Sequence, residues 1–166
     1  MTDFGKVLRT LSDPGVNFVL IGGVAANLHG SARATFVVDV VYERTRENIR
    51  EIARALAPYK PYLRGAPPNL PFAFDEATIR NGLNFTLTTT LGDLDLLGEV
   101  VGGGNYQQLL PFSVEMQAFG LPCRCVTLER LVQLKRAAGR PKDFEALAEL
   151  QLLLERRSRK GQRNQR

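Results

Sequence analysis

Three carboxylates stand where a folding chain has little use for charge. Asp39 is central in Val37-Val38-Asp39-Val40-Val41, and an acid within a valine-rich strand must reach water, a cation or a hydrogen-bond donor to offset its desolvation. Asp93 and Asp95, in "GDLDLLG", are two residues apart, so a β conformation turns both to one face while Leu94 and Leu96 turn to the other. If that strand lies beside the Asp39 strand, two or three carboxylates converge, a set suited to Mg²⁺ with its preference for oxygen. Asp93 alone also reads as a turn residue, whereas Asp95 lies deeper in the apolar run. Ahead of Asp39, Gly22 and Gly23 follow an apolar strand and open a short helix. Such a turn lets a phosphate approach backbone amides and adds the positive potential of a helix N-terminus. A diglycine is also an ordinary strand-to-helix turn, and the G-x-G-x-x-G dinucleotide fingerprint is absent.

The elements that must position these groups are legible from periodicity and breakers. Phe4, Val7, Leu8 and Leu11 predict a helix that the "DPG" turn at 13–15 stops, and "NFVLI" (17–21) predicts a buried strand. "GGVAANLHG" reads as a tight turn and short helix closed by Gly30, "TFVVDVVYE" as the next strand, and Ile49, Ile52, Ala53 and Leu56 as one side of an amphipathic helix ended by Pro58. Five of the nine prolines fall between Pro58 and Pro71, which predicts an irregular connection bordering the site. "DEATIRNG" predicts a helical turn, and "LNFTLTTTLGDLDLLGEV" a hairpin turning near Leu91-Gly92. "GGGN" (102–105) reads as a flexible loop, "YQQLL" as a helical turn, and "FSVEMQAF" with "LPCRCV" as a hairpin about Gly120. Thr127 is the predicted N-cap of a helix ending at Gly139, with Glu129 in its first turn, and "RPKDFEALAELQLLLERR" starts another helix.

The 166 residues, 44% of them apolar, suffice for one α/β or α+β domain with a real core. The net charge of +5 is local: residues 156–166 (RRSRKGQRNQR) hold six of the 22 Lys and Arg and none of the 17 acids, and without them the balance is −1. That apolar-free end is expected to be a disordered basic tail, most simply solvated, with the domain spanning 1–155. Cys123 and Cys125 lack C-x-x-C spacing and a nearby histidine, so a zinc site is not expected and reduced thiols are. The longest apolar run, Phe18 to Leu28 with Gly and Asn interruptions, is too short to span a bilayer, and the N-terminus lacks the signal-peptide pattern. A cytoplasmic chain with no membrane partner is the expectation. His29, the only histidine, is expected to pack at a helix end rather than act as a base.

"VLIGGVAANLHGSARAT", the Asp39 strand, the "GDLDLL" strand and "LERLVQLKRAAGRPKDFEALAEL", in that order, carry a family likeness from about Asn17 to Leu150. The chain resembles the nucleotidyltransferase superfamily of the DNA polymerase β type, specifically small bacterial proteins related to the AbiEii toxins of type IV toxin–antitoxin systems. The resemblance implies an α+β fold, with a mixed central sheet flanked by helices and further helices at the C-terminus. It implies Gly22 and Gly23 at an NTP triphosphate, Asp39 and Asp95 as ligands of one or two Mg²⁺ ions, and Lys135, Lys142 and Asp143 facing the nucleotide pocket. The acceptor would be an RNA or protein hydroxyl, and a cognate antitoxin the partner. Arg33 could pair with phosphate or cap a surface turn; of Lys135 and Arg136, one is expected to face solvent. The family pattern puts a first acid two residues before Asp39, where this chain has Val37. An isopropyl group cannot bridge two ions, so nucleotide binding should survive better than catalysis, with Asp93 as a substitute ligand.

Overall fold

Apolar runs and their breakers become elements largely where the sequence places them. The computed structural model describes residues 1–165. Helix α1 (Phe4–Ser12) starts at Asp3, whose carboxylate accepts from the Lys6 N–H, and buries Val7, Leu8 and Leu11. Strand β1 (Phe18–Ile21) is buried throughout and runs directly into α2 (Gly22–Leu28). After β2 (Val37–Tyr42), Thr45 caps α3 (Arg46–Leu56), which buries Ile49, Ile52 and Leu56. The chain continues through β3 (Tyr62–Leu63), α4 (Glu76–Asn81), β4 (Asn84–Thr89) and β5 (Gly92–Leu97). A small ribbon of β6 (Glu99–Val100) and β7 (Gly104–Asn105) precedes α5 (Tyr106–Leu109), the hairpin β8 (Ser113–Ala118) and β9 (Leu121–Val126), and the helices α6 (Leu128–Ala138) and α7 (Phe144–Arg163).

Seven strands form one mixed sheet in the order β3-β4-β5-β2-β1-β9-β8. The pairs β5–β2 and β2–β1 matter most. β2 runs antiparallel to β1 and parallel to β5, in a register that sets Val37 opposite Asp93 and Asp39 opposite Asp95. Val38, Val40, Leu94 and Leu96, which alternate with these positions, are buried in the core. Helices flank the sheet: α1, α3 and α4 pack in succession, while α2 lies on β1 and β2 and meets α6, which packs on α7. The N-terminus fastens the start of the two central strands, since the Thr2 hydroxyl donates to Phe36 O at 2.5 Å and accepts from Asp93 N at 3.0 Å. Gly92, at φ +123°, leaves room for this strap, because a Cβ there would lie 2.4 Å from Thr2 Cα. Among the described residues no helix is long and apolar enough to cross a membrane.

Three expectations change. The end predicted as a disordered basic tail is helical through Arg163, with only Arg166 outside the described residues. Leu150, Leu153 and Leu154 seat α7 on the core, and Arg and Lys propagate an established helix at little cost. Arg157 also ties the helix back to α2, donating to His29 Nδ1 at 2.9 Å and to His29 O at 3.3 Å. The "GGGN" segment is not simply a loop, because Gly104 and Asn105 pair with Glu99 and Val100. The proline-rich connection carries β3, which adds an edge to the sheet through Tyr62 and Leu63.

Candidate functional site

A cavity of about 570 Å³ opens between the β5–β2 face of the sheet and the turn from α6 into α7. Gly23, Arg33, Asp39, Asp95, Lys135 and Lys142, six of the nine residues singled out in the sequence, line it, and Asp93 does not. Gly22 and Asp143 stand just behind the wall. Three cationic or acidic side chains that the sequence reading did not assign to a site also reach it: Arg64, Arg140 and Glu149.

The strand wall is built by register. Asp39 and Asp95 are paired positions on parallel strands, and Thr86 of β4 lies opposite Asp95 on its other side. Arg64, just past β3, donates its backbone N–H to Thr86 O at 3.0 Å, which aligns it with the same row. Its guanidinium donates to Asp95 Oδ1 and comes within 3.8 Å of Asp93 Oδ2. Asp93 is therefore a strand residue held by Arg64, not a turn residue, and its neighbour across the strands is Val37.

Asp39 is different. No ion pair among the described residues includes it. Burial, then the Asp95 carboxylate beside it, raises its pKa to about 7, against the opposing pull of Lys135 and Arg64. The diglycine makes this proximity possible. Gly22 has φ +70°, and a Cβ there would lie 2.2 Å from Asp39 Oδ2; at Gly23 a Cβ would lie 2.4 Å from Thr35 Oγ1. Gly22 thus gives its space to Asp39, and Gly23 alone faces the cavity.

On the helix wall, Asp143 is buried and accepts from Lys135 Nζ at 3.2 Å and Arg140 Nε at 2.7 Å. Burial pushes its pKa up, but the hydrogen bonds from Arg140 and Lys135 outweigh this and hold the carboxyl below its ordinary range. Asp143 is outside the cavity lining and anchors two cations that line it. Lys135 is half-buried and Arg136 is exposed, so Arg136 is the solvent-facing member of that pair. The loop between α2 and β2 closes a third side. Asn27 Nδ2 donates to Ser31 O and Arg33 O, the Ser31 hydroxyl donates to Glu149, and Arg33 pairs with Glu145 at 3.5 Å.

His29 is structural. Its Nε2 donates to Val126 O at 2.7 Å and its Nδ1 accepts from Arg157, a pairing that fixes a neutral ring. Burial, aided by Arg157, lowers its pKa despite the Val126 contact. Cys123 and Cys125 are free and buried, and burial lifts their thiols to about 11 and about 12. They are protonated, unreactive core residues.

The donor set fits one divalent ion better than two. Asp39 and Asp95 are paired positions on neighbouring strands, and burial together with the Asp95 carboxylate disfavours the charged form of Asp39. No group of three or more His, Cys, Asp or Glu side chains is poised to hold a metal among the described residues. Val37 supplies no oxygen, and Arg64 already holds Asp93 and Asp95.

Neither a family model nor a curated protein matches the chain. Among solved structures, a crystal structure of a Thermotoga maritima protein, provisionally named a nucleotidyltransferase, superposes with a TM-score of 0.50 at 15% identity. The match covers 100% of this chain and 97% of that one. The chain therefore has the α+β fold of that protein, a mixed central sheet flanked by helices with helices at its C-terminus.

Proposed function

We propose that the chain is a Mg²⁺-dependent nucleotidyltransferase that moves a nucleoside monophosphate from an NTP to a hydroxyl of RNA or protein. The observation that carries this reading is one cavity in which the paired carboxylates Asp39 and Asp95 face five cationic side chains: Arg33, Arg64, Lys135, Arg140 and Lys142. Such a mixture suits a polyanion that arrives with a metal ion, and a triphosphate carries both features. The nucleotidyltransferase-like fold of the neighbour agrees with it.

Asp39 and Asp95 would hold the ion, which when bound offsets triphosphate charge and lowers the pKa of an attacking hydroxyl. The chain's own part is electrostatic and positional. Lys135 and Arg140, aimed by Asp143, neutralise phosphate oxygens as charge shifts toward the leaving group, and Arg33 and Lys142 hold the outer phosphates. In the transfer, the acceptor oxygen bonds to the α-phosphorus as the bond to pyrophosphate breaks; the hydroxyl proton goes to solvent.

The test is incorporation of labelled nucleotide with Mg²⁺ and a broad set of RNA and protein acceptors. Label should appear with at least one NTP and vanish in Asp39→Ala. No incorporation with any of the four NTPs overturns transferase activity.

Val37 favours a second reading, a catalytically degenerate module that binds nucleotide without transferring it. Val37→Asp separates the two: a gain of Mg²⁺ affinity together with new activity supports degeneration, and no gain counts against it. The likeness to AbiEii toxins supports a cytoplasmic toxin–antitoxin setting with a cognate antitoxin as partner. Growth arrest on expression of the chain, relieved by a neighbouring gene, is the result that setting requires.

A further inference from the structure

Among the described residues, Arg64 is the cation of the cavity that belongs to the strand wall. It stands at the end of a row that crosses the sheet from β3 to β2: Arg64, Thr86, Asp95, Asp39. Nη2 donates to Asp95, Nη1 lies 3.8 Å from Asp93 Oδ2, and Nη1 reaches Leu87 O at 3.5 Å. A guanidinium has five N–H donors in a rigid plane, so these contacts fix its position and leave donors free. The side chain remains 29% exposed and lines the cavity. The row beside it pairs Asp93 with Val37, where an isopropyl group supplies no ligand oxygen. On one side of Asp95, then, lies a fixed positive charge; on the other lies Asp39, which among the described residues has no cationic partner within ion-pair distance.

We propose that Arg64 takes the place of one divalent ion in triphosphate binding. Held by Asp93 and Asp95, it presents its remaining donors to the phosphates, and the nucleotide binds with a single divalent ion on the Asp39 side. This rests on the nucleotide reading of the cavity. It also gives Val37 a physical reason: with a guanidinium neutralising Asp93 and Asp95, an acid at 37 would have no second ion to bridge.

The first test counts ions on the unaltered chain, by the electron paramagnetic resonance signal of free Mn²⁺ at saturating non-hydrolysable NTP analogue. One bound Mn²⁺ per chain supports the assignment; two overturn it. The second test uses Arg64→Gln and Arg64→Lys, checked for folding by circular dichroism. Without nucleotide, Arg64→Gln should bind Mn²⁺ roughly tenfold more tightly, because two carboxylates lose their cation, while its affinity for the analogue in EDTA falls roughly tenfold. Arg64→Lys should recover part of that affinity. A purely structural arginine would weaken both, so unchanged or weaker Mn²⁺ binding in folded Arg64→Gln overturns the proposal. No binding of the analogue by the unaltered chain, with or without Mn²⁺, would instead overturn the nucleotide reading.

Discussion

Asp39 on the strand wall and Asp143 behind the helix wall are acids of one cavity in opposite electrical states. Asp143 is the more fully partnered: Lys135 and Arg140 bond it, its side chain is 7% exposed, and its pKa is lowered. Asp39 has the company of another acid and, among the described residues, no cation within ion-pair distance, and its pKa rises to about 7. The difference separates the half-buried Asp39 from the fully buried Asp143. A carboxylate with its counter-charges built in is a brace for other side chains. One with an acid beside it and no bonded cation has its charged form disfavoured.

The comparison breaks most visibly at the ligand. Asp39→Ala should lower Mg²⁺-dependent nucleotide affinity by more than about 100-fold, whereas Asp143→Ala should weaken it by only about tenfold by loosening Lys135 and Arg140. Isothermal titration with and without Mg²⁺ reads both, and equal losses would erase the distinction. Gly22→Ala comes next. Its left-handed backbone alone costs about 1–2 kcal/mol, and the new Cβ must displace the Asp39 carboxylate, so Mg²⁺-dependent binding should fall with stability. Retained binding would mean that the closeness of Gly22 and Asp39 has no functional weight.

Stability should then move in opposite directions. Asp143→Asn is expected to cost about 1–3 kcal/mol in urea unfolding, as two cations lose a charged acceptor. Asp39→Asn should raise the melting temperature near neutral pH in EDTA. The pH windows sharpen this contrast. Because the folded Asp39 pKa lies above its ordinary value, the folded state holds the extra proton, and stability falls as pH rises from about 4 to about 7. The folded Asp143 pKa is depressed, so its contribution is present above the ordinary carboxylate range and is lost as pH falls through the folded value. Melting curves across that range should flatten between about 4 and 7 in Asp39→Asn, and at the acid end in Asp143→Asn. The smallest effect is a control far from both acids. Arg157→Gln, which breaks the tie to His29, should cost about 1 kcal/mol and leave nucleotide affinity unchanged.

Much of the site was legible because its signals are local. An acid among valines, two acids at strand spacing, and a diglycine after an apolar strand each violate a local preference, and Asp39, Asp95 and Gly23 come together at one cavity. Arg64 gave no such signal. It sits in "YLRGAPP", where an arginine is unremarkable, and it gains meaning only when β3 adds to β4 and carries it into the row of Asp95. Asp143 was legible as an acid near a helix start, whereas its bonds to Lys135 and Arg140 were not. The basic end was misread because composition alone describes residues 156–163, whereas their helix is propagated from the leucines before them.

By itself the sequence determined the element types, most of their boundaries and the positions where a charged or small residue departs from its local pattern, since hydrophobic period, caps and breakers act within a few residues. Which of those positions share a cavity was decided by the tertiary structure. Register between strands far apart in sequence sets Asp95 beside Asp39 and brings Arg64 to both acids of β5. A carboxylate's charge state depends on neighbours within a few ångströms, and those neighbours are chosen by packing rather than by position along the chain.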